Sequence, residues 1–358
     1  MVTSDLDALG WRRFVEAFAP YAADHLIPGR VALEHTHIYR VLTADGERLA
    51  RVSGRLRHQA RSRADFPAVG DWVALEPAAH RGDARIRGVL PRFSRFSRRA
   101  AGDETEEQIV AANIDTVFIV AGLDDNFNPR RIERYLLVAR DSGAAPVVVL
   151  NKADLVADPT AFIEDVRALA PGVPVHAVSC RVEGGVEPLR SHLRFGETGA
   201  LLGSSGVGKS SIVNALIGRE LLHTREVRAA DSKGRHTTTG RQLVRLPGEG
   251  VLIDTPGMRE LQLWETGTAL GGTFADVEER AAECRFRDCR HKSEPGCAVR
   301  AAVEAGEIPQ ARLESFHKLQ DEQEFQARQQ DQRAQIEQKR KSRVASKALE
   351  KRLKEKNG

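Results

Sequence analysis

The chain has 358 residues, 41% of them hydrophobic, with a formal net charge of +4, which is enough length and apolar content for two or three domains with at least one ordinary core. The longest apolar runs, such as T-V-F-I-V-A-G-L at 116–123, are far too short to span a bilayer, and the N-terminus has no charged-then-apolar secretory pattern, so no membrane partner and a cytoplasmic address are expected. Charge is uneven: between Arg30 and Arg99 stand fifteen arginines, no lysine and seven acidic residues, and from Lys339 onward nine basic residues face only Glu350 and Glu355. Either segment alone reads equally as solvated surface charge, but together they point to a polyanionic partner.

In chain order, D-L-D-A-L-G-W-R-R-F-V-E-A-F at 5–18 carries apolar residues at helical spacing and predicts a short amphipathic helix. From Val31 to about Arg99 the pattern changes to some five short alternating stretches broken by turn signals. A small barrel follows, an OB-fold first and an SH3-like barrel as its rival, with nucleic acid as the ligand its arginines suit. His35 and His37 share a strand face but have no further ligand nearby, which is no metal site.

After G-D-E-T-E-E-Q, strands are predicted at 116–121, 146–150, 173–178, 200–202, 242–246 and 251–253, with helices near 130–141, 160–169, 186–193 and 209–217. This alternation is a doubly wound α/β domain. Beyond Glu307 the chain is rich in Gln, Glu, Lys and Arg; it favours helix but has little to bury.

Gly203, Ser204, Ser205, Gly206, Val207, Gly208, Lys209 and Ser210 fit G-x-x-x-x-G-K-S, after an apolar run and before the helix-forming Ser211-I-V-N-A-L-I. In that strand, loop, helix context the backbone N–H groups cradle phosphates, Lys209 reaches the β and γ phosphates, and the Ser210 hydroxyl binds Mg²⁺. The first 151 residues contain no lysine, and the first two lysines are Lys152 and Lys209.

Asn151, Lys152, Ala153 and Asp154 form N-K-A-D at the end of a buried strand, where open α/β sheets bind ligands. The Asp154 carboxylate can accept from both N1–H and the exocyclic amine of guanine, which adenine does not offer, and about 1.5–3 kcal/mol per charge-assisted bond gives preference for GTP over ATP. The Lys152 stem can cover the base and Asn151 can tie this loop to the phosphate loop. Ser179 adds backbone contact to the base, with Cys180 where alanine is more usual and otherwise read as a buried thiol.

D-T-P-G at 254–257 follows an apolar stretch, as expected where Asp254 steers Mg²⁺ through water and the Gly257 N–H senses the γ phosphate. Between loop and turn lies G-R-H-T-T-T-G at 234–240, in which Thr237 or Thr238 completes the Mg²⁺ shell while the γ phosphate is present, making the segment a switch. Met258 stands where many GTPases carry a water-orienting glutamine. His236 is its best substitute as a catalytic group, together with Lys209 and Thr238; the other reading of His236 is an exposed histidine in a mobile loop. Intrinsic turnover on the order of 10⁻⁴ s⁻¹ is expected until a partner orders the switch.

The motifs run N-K-x-D, S-C, phosphate loop, switch, D-T-P-G, a cyclic shift of the ordinary GTPase order, which a parallel sheet tolerates when its original termini are close. The turn then leads into Cys284, Cys289, His291 and Cys297, three thiolates and one imidazole that would close a structural, tetrahedral Zn²⁺ shell.

This arrangement resembles the RsgA (YjeQ) family of circularly permuted, ribosome small-subunit-dependent GTPases, over roughly residues 30–300. The likeness rests on L-P-R-F-S-R-F-S-R-R, A-A-N-I-D, N-K-A-D, G-S-S-G-V-G-K-S, R-H-T-T-T, D-T-P-G-M-R-E and the C-C-H-C cluster. It implies a circularly permuted P-loop GTPase domain flanked by an N-terminal OB-fold barrel and a C-terminal α-helical zinc-binding domain, both gripping 16S rRNA of the 30S subunit. It also implies GTP hydrolysis to GDP stimulated by that subunit in late maturation, with a catalytic role for His236. The divisions expected are a helical extension over 1–29, an OB-fold over 30–103, the GTPase domain over 104–265, the zinc domain over 266–310 and a basic helical or disordered tail over 311–358, in a monomer. A competing reading is a GTP-regulated RNA-binding module in which hydrolysis is incidental.

Overall fold

The computed structural model describes residues 5–35, 37–77, 82–100, 103–125, 127–218, 242–247, 250–254 and 273–322, with positions 324 and 328. The chain divides into two compact units, Met1–Gln262 and Leu263–Gly358. Among the described residues no helix is long and apolar enough to cross a membrane.

The first unit opens not on one amphipathic helix but on two 3-10 turns, Asp7–Leu9 and Trp11–Phe14, followed by α1 (Val15–Ala22). Gly10 between the turns has φ +83°, and a Cβ there would lie 2.5 Å from the Gly196 carbonyl, so the helical run predicted over 5–18 is interrupted by a left-handed residue that only glycine supplies without strain. Leu9, Phe14 and Phe18 are buried, and Trp11 and Phe14 pack on Trp72.

Strands β1 (Ile27–His35), β2 (Ile38–Thr43), β3 (Gly46–Val52), β4 (Trp72–Glu76) and β5 (Ala84–Val89) pair in the order β1-β2-β3-β5-β4, and β4 returns to β1, closing the barrel. β3 and β5 are parallel, with α2 (Gly54–Gln59) between β3 and β4, capped by the Ser53 hydroxyl. This closed, five-stranded arrangement is the OB-fold rather than its SH3-like rival. Its interior holds Val31, Tyr39, Val41, Val73, Leu75 and Ile86.

A hairpin that the alternation does not announce follows: β6 (Arg95–Ala100) pairs with β7 (Asp103–Ala112) as a separate two-stranded sheet. Its register sets Arg95 opposite Ala112 and Arg99 opposite Glu107, and Arg95 reaches Glu107 at 3.8 Å, while Phe96, Ile109 and Ala112 are buried.

The α/β domain contains β8 (Thr116–Gly122), β9 (Ala145–Asn151), β10 (Val175–Ala177), β11 (Thr198–Leu202), β12 (Gln242–Arg245) and β13 (Val251–Asp254). Their order is β10-β9-β8-β11-β13-β12, parallel except for β12. Every residue of β8 and of β11 is buried, as expected of parallel strands covered on both faces. Helices α3 (Pro129–Ser142), α4 (Thr160–Leu169) and α5 (Lys209–Ile217) match the predicted ones. The helix predicted near 186–193 is a 3-10 turn, Glu187–His192, with Pro188 in its first turn. β12 also pairs with β1 of the barrel through Leu33 and Gln242.

Arg30 of β1 is 1% exposed. Its Nε donates to the Gly70 carbonyl at 3.2 Å, its Nη2 to the Asn113 carbonyl at 3.2 Å and to Thr198 Oγ1 at 2.7 Å, and its Nη1 to the Leu9 carbonyl. One guanidinium thus joins the N-terminal turns, the barrel, the connection into the α/β domain and β11. Burial lowers its pKa to about 10, against the raising influence of Asp115 and Asp71, so it remains charged at neutral pH. At the far side of the sheet His176 of β10 and His192 stand Nε2 to Nε2 at 2.8 Å, a geometry that needs one ring to donate and the other to accept.

The second unit contains α6 (Ala275–Ala281), α7 (Ala298–Glu304) and a helix over 310–322. Arg312 is buried, with Nε and Nη2 bidentate on Asp276 at 2.6 and 2.7 Å and Nη2 on the Thr273 carbonyl at 2.9 Å. Leu313, Phe316 and Leu319 are also buried, so the polar segment with little to bury begins later than the composition beyond Glu307 suggests.

Two outcomes are expected. Arg30→Met strands buried acceptors and lowers unfolding free energy by about 3 kcal/mol, read from urea titration. Burial, first of all, holds both His176 and His192 below the ordinary histidine value of 6.5, His176 being lowered further by its neighbour and His192 opposed by Glu197. The folded state therefore binds fewer protons than the unfolded one, so their stabilisation is complete above pH 6.5 and declines as pH falls below it. The urea midpoint drops between pH 7.5 and pH 5.5, about, and drops less in His176→Asn.

Candidate functional site

β8 separates β9 from β11, and β13 flanks β11 on the other side, so the residues that follow these parallel strands share the carboxyl edge of the sheet. From β8 the chain steps outward to β9 and β10, then returns to β11 on the opposite side of β8; such a reversal opens a crevice where α/β sheets bind ligands. At strand spacings of about 4.8 Å, the loops after β9 and β11 stand roughly 10 Å apart.

Asn151 ends β9, is 3% exposed, and donates from Nδ2 to the Val207 carbonyl at 2.8 Å. The tetrad and the glycine-rich loop, 56 residues apart in the chain, are thus bonded directly. A Cβ at Gly208 would lie 2.2 Å from Asn151 Nδ2, and φ there is +95°, so glycine is required for the two loops to meet. Cys180 Sγ donates to Asn151 Oδ1 at 3.7 Å, and burial pushes the thiol up to about 11, which keeps it protonated.

Lys152 has φ +65° and its Nζ lies 2.5 Å from Asp124 Oδ2. The Ala153 N–H donates to the Val178 carbonyl at 3.0 Å. Asp154 Oδ1 accepts from Ser179 Oγ at 2.6 Å, with Arg181 3.7 Å from Oδ2. The Ser179 hydroxyl is the main reason that the Asp154 carboxyl stays below its ordinary range, so it is held as an ionised acceptor.

In the glycine-rich loop, Lys209 Nζ donates to the Gly203 and Ser204 carbonyls at 2.9 and 2.7 Å. Val207 is buried in the domain core, while Ser205 and Gly206 are exposed at the loop's tip. Lys209, Ser210 and Ser211 form the first turn of α5, half-buried, so the start of the helix meets the loop as in anion-binding helix ends. Asp254 ends β13 at the same edge. His236, Thr237, Thr238, Gly257 and Met258 lie outside the described residues.

Two further contacts involve residues that no motif marks: Asp124, on Lys152, and Arg131 of α3, whose Nη1 donates to Ser204 Oγ at 3.0 Å. Only the strand order could have found them, because β8 lies between the two motif strands.

In the second unit the ligand atoms of Cys284, Cys289, His291 and Cys297 all lie within 4.8 Å of one another. Cys284 Sγ is 3.9 Å from Cys297 Sγ and 3.6 Å from His291 Nδ1, and Cys297 Sγ is 3.4 Å from that nitrogen. A tetrahedral shell with Zn–S of about 2.3 Å and Zn–N of about 2.1 Å has edges of about 3.8 Å between sulfurs and about 3.6 Å from sulfur to nitrogen. The cluster fits a metal ion bound by four protein ligands. Cys297 and His291 are buried, and Cys297 is the residue that caps the start of α7, so the shell is built into the unit's own core.

A family model described as RsgA GTPase matches residues 89–264. The chain is 50% identical over 336 residues to the small ribosomal subunit biogenesis GTPase RsgA of Opitutus terrae, covering 91% of this chain and 92% of that one. The chain belongs to the RsgA GTPase family. It is also 28% identical to YjeQ from Thermotoga maritima, with a TM-score of 0.61, covering 82% of this chain and 97% of that structure. YloQ, a circularly permuted GTPase, gives a TM-score of 0.58 at 25% identity over 86% of this chain and 96% of its own. The RsgA-family fold is therefore a circularly permuted GTPase domain with a closed N-terminal barrel and a C-terminal cysteine and histidine cluster.

For this RsgA-family chain, elemental analysis is expected to find one bound divalent metal ion per molecule. Cys297→Ser loses that ion and lowers the melting temperature of the second unit, since a structural site contributes its binding energy to folding.

Proposed function

We propose that the protein hydrolyses GTP to GDP and phosphate while bound to the 30S ribosomal subunit, in late small-subunit maturation, and that the subunit stimulates the reaction. What supports the GTP site most is the Asn151–Val207 hydrogen bond of 2.8 Å, which gathers a base-reading loop and a phosphate loop around one place. The relative in Opitutus terrae is named as a small ribosomal subunit biogenesis GTPase, which supports the ribosomal role.

In this reading Asn151, Lys152, Ala153, Asp154 and Ser179 hold the guanine. Ser179 keeps Asp154 ionised, and the carboxylate accepts both guanine N–H groups. Residues 203–211 take the phosphates, and Lys209 exchanges its loop carbonyls for phosphate oxygens. Ser210, Asp254 and Thr237 or Thr238 would hold Mg²⁺, which supplies neutralisation of charge on the phosphates. His236 is assigned the orientation of the attacking water, Thr238 the support of the switch, and Gly257 the sensing of the γ phosphate.

Cys284, Cys289, His291 and Cys297 are assigned to one structural Zn²⁺. The barrel over 30–103 and the zinc domain over 266–310 are the RNA-contacting parts on either side of the GTPase domain at 104–265, in a cytoplasmic monomer, with the extension over 1–29 and the tail over 311–358 outside them.

GTP turnover measured with and without purified 30S particles tests this. Turnover is expected to rise at least about tenfold with subunits, and His236→Ala to reduce the stimulated rate by about 100-fold with GTP affinity retained. Turnover indifferent to subunits overturns the ribosomal assignment. Stimulated turnover untouched in His236→Ala removes the histidine from the mechanism, and normal release from the subunit without hydrolysis favours a GTP-regulated binding module.

A further inference from the structure

We infer that Asp124, just past the end of β8, and Arg131, in the first turn of α3, form a third wall of the nucleotide site, in which Asp124 positions the base-reading loop and Arg131 positions the phosphate loop. The inference rests on the guanine-nucleotide reading above. Neither residue belongs to a motif, yet each touches a different half of the site: Asp124 Oδ2 lies 2.5 Å from Lys152 Nζ, and Arg131 Nη1 lies 3.0 Å from Ser204 Oγ.

The backbone on both sides is fixed. A Cβ at Gly122 would lie 2.7 Å from Asp124 Oδ1, so the carboxylate can fold back over the end of β8 because residue 122 has no side chain. Lys152 sits in the left-handed region at φ +65°, an uncommon backbone for lysine that surrounding contacts must hold; the pair with Asp124 gives its ammonium one direction. Seven residues on, Arg131 stands in the first turn of α3, where the Asn128 side chain caps by accepting from the Arg131 N–H at 3.2 Å and Pro129 starts the helix. Its guanidinium therefore projects from a rigid helix start onto the phosphate loop.

The two contacts act on different parts of the ligand. Ser204 receives Arg131 on its hydroxyl and Lys209 on its carbonyl, the latter at 2.7 Å, so Arg131 steadies the residue against which the phosphate-binding lysine rests. It also adds a cation beside the loop, whose effect grows with the charge of the polyphosphate. Asp124 works through Lys152, whose stem covers the base, and is indifferent to the number of phosphates.

The test is the affinity of the full-length protein for GTP, GDP and GMP, measured by displacement of a fluorescent GDP analogue. Asp124→Asn is expected to weaken all three by a common factor of about three to ten, whereas Arg131→Met weakens GTP and GDP about tenfold and GMP by less than about twofold. The double variant Arg131→Met with Ser204→Ala should be little weaker than Arg131→Met alone, because both remove one contact. If Arg131→Met melts early, Ser204→Ala, which removes the acceptor hydroxyl and leaves the cation, is expected to weaken GTP and GDP about two- to threefold and GMP less, the share of the split that the contact carries. Equal losses on all three nucleotides for Arg131→Met, or unchanged affinities in well-folded variants, overturn the inference. A wild-type protein that binds none of the three overturns the guanine-nucleotide reading instead.

Discussion

The Asn151 amide reaches from the end of β9 past β8 to the Val207 carbonyl, and the functional architecture depends on that reach. Without it the two motif loops would be neighbours on a sheet edge, each free to move against the other. With it, the residue that begins the N-K-A-D tetrad is a brace for the loop that precedes α5, and the absence of a side chain at Gly208 makes room for the brace. The Cys180 thiol on the opposite face of the same amide orients it, because a donor on Oδ1 leaves Nδ2 to point at Val207. A cysteine that reads from sequence as filler is thus a member of a three-loop chain.

The same geometry explains how the chain tolerates its reversed motif order. Strand order in space, β10-β9-β8-β11-β13-β12, puts the N-K-A-D tetrad, the glycine-rich loop and the end of β13 at one edge irrespective of which is synthesised first. What the cyclic shift changes is the connections: the chain enters the domain at β8, in the middle of the sheet, and it does so from the β6–β7 ribbon that follows the barrel. That entry point is where Arg30 sits, bonded to Asn113 just before β8 and to Thr198 at the start of β11. A buried guanidinium with acceptors on four segments replaces the continuity that an unshifted chain would have there.

Legibility from sequence followed the physics of each element. The parallel strands are readable because both faces are buried and the runs are continuously apolar, as T-V-F-I-V-A-G and A-P-V-V-V-L-N show. The glycine-rich loop and the tetrad are readable because G-x-x-x-x-G-K-S and N-K-x-D place particular residue types at short spacing. The β6–β7 ribbon is not, since its Arg, Glu and Gln residues interrupt any apolar period and its buried Phe96, Ile109, Ala111 and Ala112 are gathered at one end. The single N-terminal helix that the spacing predicts does not form, because that spacing runs on through Gly10, whose left-handed φ and lack of a side chain fit it against the Gly196 carbonyl far along the chain. Asp124 and Arg131 escaped for the same reason: their partners are decided by which strands are adjacent, and adjacency is not written locally. The helix over 310–322 shows the converse, where Arg312 looks like one more surface charge but is buried against Asp276.

The ladder between Leu33 and Gln242 gives this molecule a mechanical property that a linker between separate domains would not. β12 is the first strand after the segment carrying the threonines, and it is hydrogen-bonded to β13 on one edge and to the barrel on the other. Barrel and nucleotide sheet therefore share a rail: any tug along that strand is felt at once by both, without a hinge in between to absorb it.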